Sequence, residues 1–474
     1  MAAPPNVVMI VADTFRRDHL GASGNSWIRT PNLDRLAARS VVFDEHRISS
    51  FPTMPARADF LTGRFSYTFM GWEPLPPGLE TLPGMLSRAG YLTMGVVDTP
   101  FFIRDGYGYD RGFDDFIWIR GQGDDTRPHE RADARAMWRS ERDRLVARTM
   151  TAADDWLERH HRAPFFLYVD TWDPHEPWDP PDYYPQLYRP DFTGPALYPA
   201  YAKWKEAGLR WEDVENAHAA YAGKVTMVDR WIGVLLDKLE VLGLADNTIV
   251  VFTSDHGHYF GEHGYFGKAE WIHDPDARIS DDAEVPTWFS KSWLLTIGWS
   301  PLYQELARVP FLLRVPGVEP GRRRALTTAP DIPATILDLL RIDQPAQVQG
   351  RSLSRVLRGE EEEHRPFVIS SWPLYFAKGE LTSAVDSRRR KIASYMPVTV
   401  STRERSLIMG GPSEPPELYD LVRDPQETTN VWSQSTGEGR RLFQSAIDFL
   451  RECGTAERFI TPREESLKAF AHAG

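Results

Sequence analysis

Along the first three quarters of the chain, short apolar runs alternate with amphipathic stretches. Residues 7–11, Val-Val-Met-Ile-Val, are apolar at every position, the pattern of a strand covered on both faces. Residues 92–97, 165–169, 249–253 and 309–315 repeat that pattern, and 41–43 reads as a shorter extended piece. Helical signals lie between them. Thr30-Pro31 sets an N-cap residue before a proline at the first helical position, and Leu33, Leu36 and Ala37 then recur on one face. Thr81 opens a similar segment that runs to Ala89 and stops at Gly90, and Asp331-Ile332-Pro333 opens another that runs through Leu340. Strands alternating with helices predict an α/β fold with a mostly parallel sheet.

Other stretches break this rhythm. Residues 120–158 are dense in charge, and Trp138, Leu145, Met150 and Trp156 within them fit a solvent-facing helical excursion. Residues 174–199 are rich in Pro and Tyr and read as a long ordered loop. Residues 270–300 carry Trp271, Trp288, Trp293 and Trp299 among Asp274, Asp276, Asp281 and Asp282, and read as an insertion. After the acidic run 360–363 the texture changes to hairpin-like alternation at 367–370 and 384–395. The expected division is therefore a large α/β domain over 1–361 and a smaller C-terminal α+β domain over 362–474.

Composition narrows the classes of function. The chain has 474 residues, 42% hydrophobic and 26% charged, an ordinary globular balance. A net charge of −12 without a long basic run argues against nucleic acid as a partner. The single cysteine, Cys453, excludes an internal disulfide and a cysteine-based zinc site. No basic segment and long apolar run precede Asp13, and no apolar run approaches the roughly 20 residues of a membrane span, so a soluble cytoplasmic protein with no membrane partner is expected. Of the 16 tryptophans, Trp211 and Trp231 sit on helical patterns and read as packing residues.

Chemistry gathers at the carboxyl ends of strands in such sheets. Asp13 follows the first strand, and Asp255-His256 follows the strand over 249–253. A carboxylate at one end and a carboxylate–imidazole pair at the other can converge on one divalent cation. A lone Asp at a strand end also serves as a helix cap, but packing gives little reason for three histidines and two acids among the glycines of 255–263. In Thr53-Met54-Pro55-Ala56-Arg57, a hydroxyl is followed four residues later by a guanidinium at the start of a helix. Such an N-terminus favours anions, and an Arg beside a hydroxyl can hold an oxyanion against a nucleophile. Taken alone, the same residues also fit a capping Thr and a surface Arg.

These residues resemble the sulfatase branch of the alkaline-phosphatase-like hydrolases. The likeness is carried by the opening 6–13, Thr30-Pro31-Asn32-Leu33-Asp34-Arg35-Leu36-Ala37, Pro55-Ala56-Arg57 with Leu61-Thr62-Gly63, and Gly112-Phe113-Asp114. It continues through Asp173-Pro174-His175-Glu176-Pro177, Ser254-Asp255-His256-Gly257 and Gly267-Lys268 to Glu417-Leu418-Tyr419-Asp420-Leu421, Asp424-Pro425, Glu427 and Asn430. The resemblance implies a large mixed, mostly parallel sheet flanked by helices, a small C-terminal domain with its own antiparallel sheet, and in-line transfer of a sulfuryl or phosphoryl group. Carried over residue by residue, it implies Asp13, Asp255 and His256 as metal ligands and Thr53 as a nucleophile with its oxygen on the metal. Arg57 and Lys268 would clamp the non-bridging oxygens. His175 would bind substrate or protonate the leaving oxygen, with His218 a second candidate for that acid.

The departures from the family shape the expected chemistry. Thr53 stands where sulfatases carry a cysteine or serine that becomes formylglycine; oxidised threonine is a ketone, so no formylglycine is expected. Release then requires water to attack a covalent ester, which suits phosphorus better than sulfur. The residue after Asp13 is Thr14 rather than a second acid, and an Asp-His pair replaces Asp-Asn, which favours one Mn²⁺ or Zn²⁺ ion over Ca²⁺. His258 and His263 would be the residues to recruit for a second metal. Val97-Asp98-Thr99-Pro100 stands where a Gly-Lys-x-His loop is typical. The pattern is similar to the phosphonate monoester hydrolase and phosphodiesterase side of the family. The leading expectation is hydrolysis of a small anionic phosphoester; the alternatives are a sulfatase without formylglycine and a degenerate oxyanion-binding protein. Trp178 and the tryptophans of 271–299 would line an apolar leaving-group pocket or seal a contact between copies of the chain in a homo-oligomer.

Overall fold

The computed structural model describes residues 4–103, 106–121, 138–193, 198–273, 278–279, 296–374, 381–382, 397–410 and 415–470, with the backbone alone for 270–273, 278–279, 296–299 and 381–382. An eight-stranded sheet forms its centre. Its strands are β1 (Asn6–Ala12), β2 (Val41–Arg47), β3 (Leu92–Val97), β4 (Asp115–Trp118), β5 (Phe165–Thr171), β6 (Thr248–Thr253), β7 (Phe311–Arg314) and β8 (Gly321–Thr328). They lie in the order β8-β2-β7-β6-β1-β5-β3-β4. β1 runs parallel to both β5 and β6, and the parallel block continues through β3 and β4. β7 is antiparallel to both of its neighbours and β8 is parallel to β2, so the sheet is mixed and mostly parallel.

The unbroken apolar runs have a direct physical cause, because helices cover both faces. The flanking helices are α1 (Pro31–Ala37), α2 (Thr53–Thr62), α3 (Leu82–Arg88), α4 (Leu145–His160), α5 (Trp211–Val241) and α6 (Asp331–Leu339). Alternate residues of β1 point to opposite faces. Val8 and Ile10 join Met150 and Leu157 of α4 and Val228 and Ile232 of α5. Val7, Met9 and Val11 join Met54 and Leu61 of α2, Leu86 of α3 and Ile336 of α6. Thr81 caps α3 as expected, accepting from the Gly84 N–H. Thr30 does not cap α1 with its side chain; its hydroxyl instead accepts from Gly21 N–H at 2.9 Å.

The solvent-facing reading of 120–158 needs correction. α4 lies against the sheet with Leu145, Met150 and Trp156 buried, because its charges fall on the opposite side from a continuous apolar stripe. Residues 122–137 of that stretch lie outside the described residues. Trp231 is buried, whereas Trp211 is 48% exposed and donates to Glu215, so only the former is a packing residue. Among the described residues, no helix is long and apolar enough to cross a membrane.

A second sheet of β9 (Val368–Ser371), β10 (Val398–Ser401), β11 (Arg405–Met409) and β12 (Glu417–Asp420) is antiparallel throughout. Helix α7 (Thr436–Glu452) covers it with Phe443, Ala446, Ile447 and Leu450, and α8 (Glu457–Ala469) follows. The hairpin expected over 384–395 lies outside the described residues, as do most of 270–300 and the side chains of Trp271, Trp288, Trp293 and Trp299. β9 braces the entry to α2: Phe51 N–H donates to the Ser371 carbonyl at 2.9 Å, and Ser371 N–H donates to that of Ser49 at 2.8 Å.

Candidate active site

β1 and β6 are neighbours, so their carboxyl ends bring Asp13 and Asp255 together. Asp13 Oδ2 and Asp255 Oδ2 both contact Nη1 of Arg57, the former at 3.0 Å. The turn between them is strained, since Thr14 is β-branched and sits at φ 63°. Three contacts hold it there. Its N–H donates to Asp255 at 2.9 Å, its hydroxyl donates to Asp13 at 2.5 Å, and its carbonyl accepts from the Tyr221 hydroxyl at 2.8 Å. Thr14 is therefore a positioning residue for both acids, a role invisible in its residue type.

α2 presents Thr53 as its first residue and Arg57 one turn later, and all ten of its residues are buried. Asp59 anchors this helix from the far side, accepting from the N–H groups of Ser50 at 2.9 Å and Ser66 at 2.8 Å. Burial raises the Asp59 pKa to about 6 despite these bonds. The Arg57 guanidinium, expected to face substrate oxygens, is committed to carboxylates. It grips Asp170 through Nε at 3.1 Å and Nη2 at 2.9 Å, while Nη1 faces Asp13, Asp255 and the Thr53 carbonyl. Asp170 was missed by sequence reasoning; the available signal was one acid ending the apolar run Phe-Phe-Leu-Tyr-Val. Thr99 and Tyr168 donate to the same carboxylate at 2.5 and 2.7 Å. Asp98 in turn accepts from Trp172 N–H at 2.5 Å and Thr149 at 2.7 Å, so residues 97–100 brace the end of β5.

One guanidinium thus serves three fully buried carboxylates. Burial, reinforced by Asp255, pushes the Asp13 pKa up to about 6 against the pull of Arg57 and Lys268. The ion-pair contact of its Oδ2 lacks hydrogen-bond geometry, leaving that oxygen without a hydrogen-bond partner. Burial and Lys268 lower His256 to about 3, so the imidazole is neutral. Its Nδ1 lies 2.9 Å from the Gly257 carbonyl, which only accepts, so the proton resides there and Nε2 presents a lone pair. That Nε2 is buried, unpaired and 3.4 Å from Asp255. The ligand atoms of Asp13, Asp255 and His256 all lie within 4.8 Å of one another. Two carboxylates and an oriented imidazole with orphaned inward atoms fit a divalent cation.

Lys268 and His175 form a neighbouring pair. The Lys268 ammonium donates to His175 Nε2, and His175 Nδ1–H donates to the Glu176 carbonyl at 2.7 Å. Burial and Lys268 hold His175 well below the usual histidine range. Lys224 secures this loop, donating at 2.9 Å to the carbonyls of His175 and Pro177 and pairing with Asp173 at 2.6 Å. Lys268 is felt electrostatically by both Asp13 and His256. His218 instead meets His19 at 2.6 Å between Nε2 atoms and packs on Phe260, apart from this group. His258 is buried against Trp178 and Phe260, while His263 approaches Glu305. Trp178 itself is 1% exposed, packed among Tyr221, His258, Phe260 and Phe266.

A mostly parallel sheet with these groups at its carboxyl edge and a separate antiparallel C-terminal sheet define an alkaline-phosphatase-like ester hydrolase. The chain belongs to the sulfatase family, with residues 5–342 matching Sulfatase and residues 287–442 matching the C-terminal region of N-sulphoglucosamine sulphohydrolase. It is 26% identical to an arylsulfatase of Clostridium perfringens, over 94% of this chain and 93% of that protein. It is 23% identical to an N-acetylglucosamine-6-O-sulfatase of Bacteroides thetaiotaomicron, over 91% of this chain and 83% of that protein. The structure of a phosphonate monoester hydrolase of Agrobacterium radiobacter superimposes with a TM-score of 0.70 at 22% identity, covering 94% of this chain and 95% of that one. A second such hydrolase, from Silicibacter pomeroyi, gives a TM-score of 0.69 at 20% identity, covering 94% and 95%.

Proposed function

We propose that the protein hydrolyses a phosphodiester or a phosphate or phosphonate monoester through Thr53, as a member of the phosphonate monoester hydrolase side of its family. The observation that carries this reading is a threonine, not a cysteine, at the buried first turn of α2, its carbonyl on the same Arg57 Nη1 that contacts the candidate ligands Asp13 and Asp255. The one cysteine, Cys453, is buried in the C-terminal core, with its thiol pushed up to about 12 by burial. No formylglycine can form at Thr53.

A Mn²⁺ or Zn²⁺ ion held by Asp13, Asp255 and His256 would supply Lewis-acid polarisation of the ester and ease ionisation of the Thr53 hydroxyl. The remaining steps belong to the chain. Thr53 Oγ, its hydroxyl proton passed to solvent, forms a bond to phosphorus as the bond to the leaving oxygen breaks, and the departing oxygen takes a proton from the Lys268–His175 pair. Neutral His175 accepts from Lys268, so the mobile proton of that pair sits on Lys268 Nζ. Lys268 also faces the charge that spreads over the non-bridging oxygens. Arg57 acts as a positioning residue that keeps Asp13, Asp170 and Asp255 in place. Water then attacks phosphorus as the bond to the Thr53 oxygen breaks; one proton of that water passes to the Thr53 oxygen, and Lys268 regains its proton from solvent. Thr53 lacks the second hydroxyl through which a hydrated aldehyde expels sulfate by elimination, and a threonine sulfate would be released slowly.

The second reading is sulfate ester hydrolysis through unmodified Thr53, favoured by the sulfatase names of the sequence relatives. Aryl phosphate, phosphodiester, phosphonate and sulfate esters assayed side by side separate the two. Phosphorus ester turnover should dominate, and Thr53→Ala should lower it by about 10³-fold or more. Activity surviving in that variant removes the nucleophile assignment, and faster sulfate turnover selects the second reading.

A further inference from the structure

A second set of donors converges outside the site above. His263, Glu305 and Glu427 place ligand atoms within 4.8 Å of one another. They come from three separate segments: the 255–263 loop, the short helix Gln304–Ala307, and the turn after β12. Glu427 is 1% exposed. Its Oε2 is held by the Gln304 N–H at 2.7 Å, and its Oε1 is buried without a hydrogen-bond partner. The Ser406 hydroxyl lies nearby but does not meet it in hydrogen-bond geometry. His263 Nε2 and Glu305 Oε2 are likewise buried and unpaired in hydrogen-bond terms, 3.4 Å apart.

The surroundings hold these groups in place. The His263 ring stacks on Tyr303 at 3.7 Å and 13°, and its backbone occupies the left-handed region at φ 54°. Tyr303 is tied to Glu417 of β12 at 3.1 Å. Gly257 N–H donates to the Leu306 carbonyl at 3.0 Å, and a Cβ at Gly257 would strike the Glu305 carbonyl, so glycine is required where the loop meets the short helix. Among the described residues, no lysine or arginine forms an ion pair with Glu305 or Glu427. Arg16 is felt by Glu305 and Arg47 by Glu427 only at a distance, each being paired with other acids. Two carboxylates and one imidazole, held by these contacts and not closed by an ion pair to lysine or arginine, are a donor set for a borderline divalent metal.

We propose that His263, Glu305 and Glu427 form a second metal site, taking Zn²⁺ or Mn²⁺, that fastens the loop carrying Asp255 and His256 to the C-terminal segment. The site is independent of which ester the protein cleaves. Metal-free full-length protein reloaded with Zn²⁺, and in parallel with Mn²⁺, should hold two ions per chain by atomic emission. Asp13→Asn/His256→Gln should keep one ion, and its melting temperature should rise with metal concentration. Adding Glu305→Gln should remove both that ion and the rise. Should Glu305→Gln fail to fold, His263→Asn makes the same test, since asparagine tolerates the left-handed backbone. A folded Asp13→Asn/His256→Gln chain that binds neither ion overturns the proposal, as does a Glu305→Gln or His263→Asn chain that keeps its full complement.

Discussion

Two buried arginines show what balanced and unbalanced charge do in one protein. Arg365 serves a single carboxylate, Asp331, which it meets through Nε at 2.9 Å and through Nη2. Asp331 also accepts from the N–H groups of Thr328 at 3.1 Å and Arg351 at 2.9 Å. Burial opposes its ionisation, yet Arg365 and His364 hold it well below the usual carboxylate range. Arg57 is as deeply buried but divides its donors among Asp13, Asp170 and Asp255, and Asp13 rises to about 6. The first arrangement is a finished brace joining the start of α6 to the segment before β9. The second has a surplus of buried negative charge that the chain's own cations leave uncompensated. Such a surplus fits the divalent cation proposed for this site.

The comparison is broken most severely at Arg57. Arg57→Leu strands three buried carboxylates and, in chelator, should cost about 3–5 kcal/mol or prevent folding, with Mn²⁺ or Zn²⁺ restoring part of the loss. Denaturant melts with and without the ion measure this. Arg365→Leu should cost a similar 3–5 kcal/mol but show no rescue by metal, because one stranded acid offers no multidentate site. Rescue of both variants would erase the distinction.

The two acids should also respond oppositely to pH. Asp13 has its pKa raised from 3.8 to about 6, so between pH 4 and 6 the folded chain keeps a proton that the unfolded chain has lost. Metal-free protein should therefore lose stability as pH rises through that window, by up to roughly 3 kcal/mol from this group, and Asp13→Asn should flatten the slope. Asp331 is depressed instead. Its contribution is present above about pH 4 and is lost as pH falls toward its folded value. Melting curves of wild type, Asp13→Asn and Asp331→Asn from pH 3 to 7 separate the two signs. The smallest effect is expected at Cys453, which lies in the C-terminal core within electrostatic reach of Arg365 and is no part of the carboxylate group around Arg57. Cys453→Ala should leave kcat/KM within about two-fold, whereas a formylglycine enzyme dependent on that cysteine would lose its activity.

The chain read as a sequence already determined a good part of this. The run over 7–11 with Asp13 after it, the run over 249–253 with Asp255-His256 after it, and the Thr53–Arg57 spacing are local signals, and β1, β6 and α2 form where those signals lie. What periodicity and residue type could not carry is which charges meet. Asp170 looks like the end of an apolar strand, yet β5 lies between β1 and β3 with Asp170 opposite Val11 and Val97, which sets its carboxylate beside Arg57. α4 read as solvent-facing because its charge density hid the stripe that covers the sheet. Trp211 read as core because a helical pattern does not say which face the neighbouring elements cover. Glu427, part of a C-terminal motif in the sequence, meets His263 only because the second sheet docks beside the 255–263 loop. Local pattern determines which elements form and which groups stand at their ends; strand order and docking decide which of those groups share a low-dielectric space, and that sharing sets the charge imbalance on which the chemistry depends.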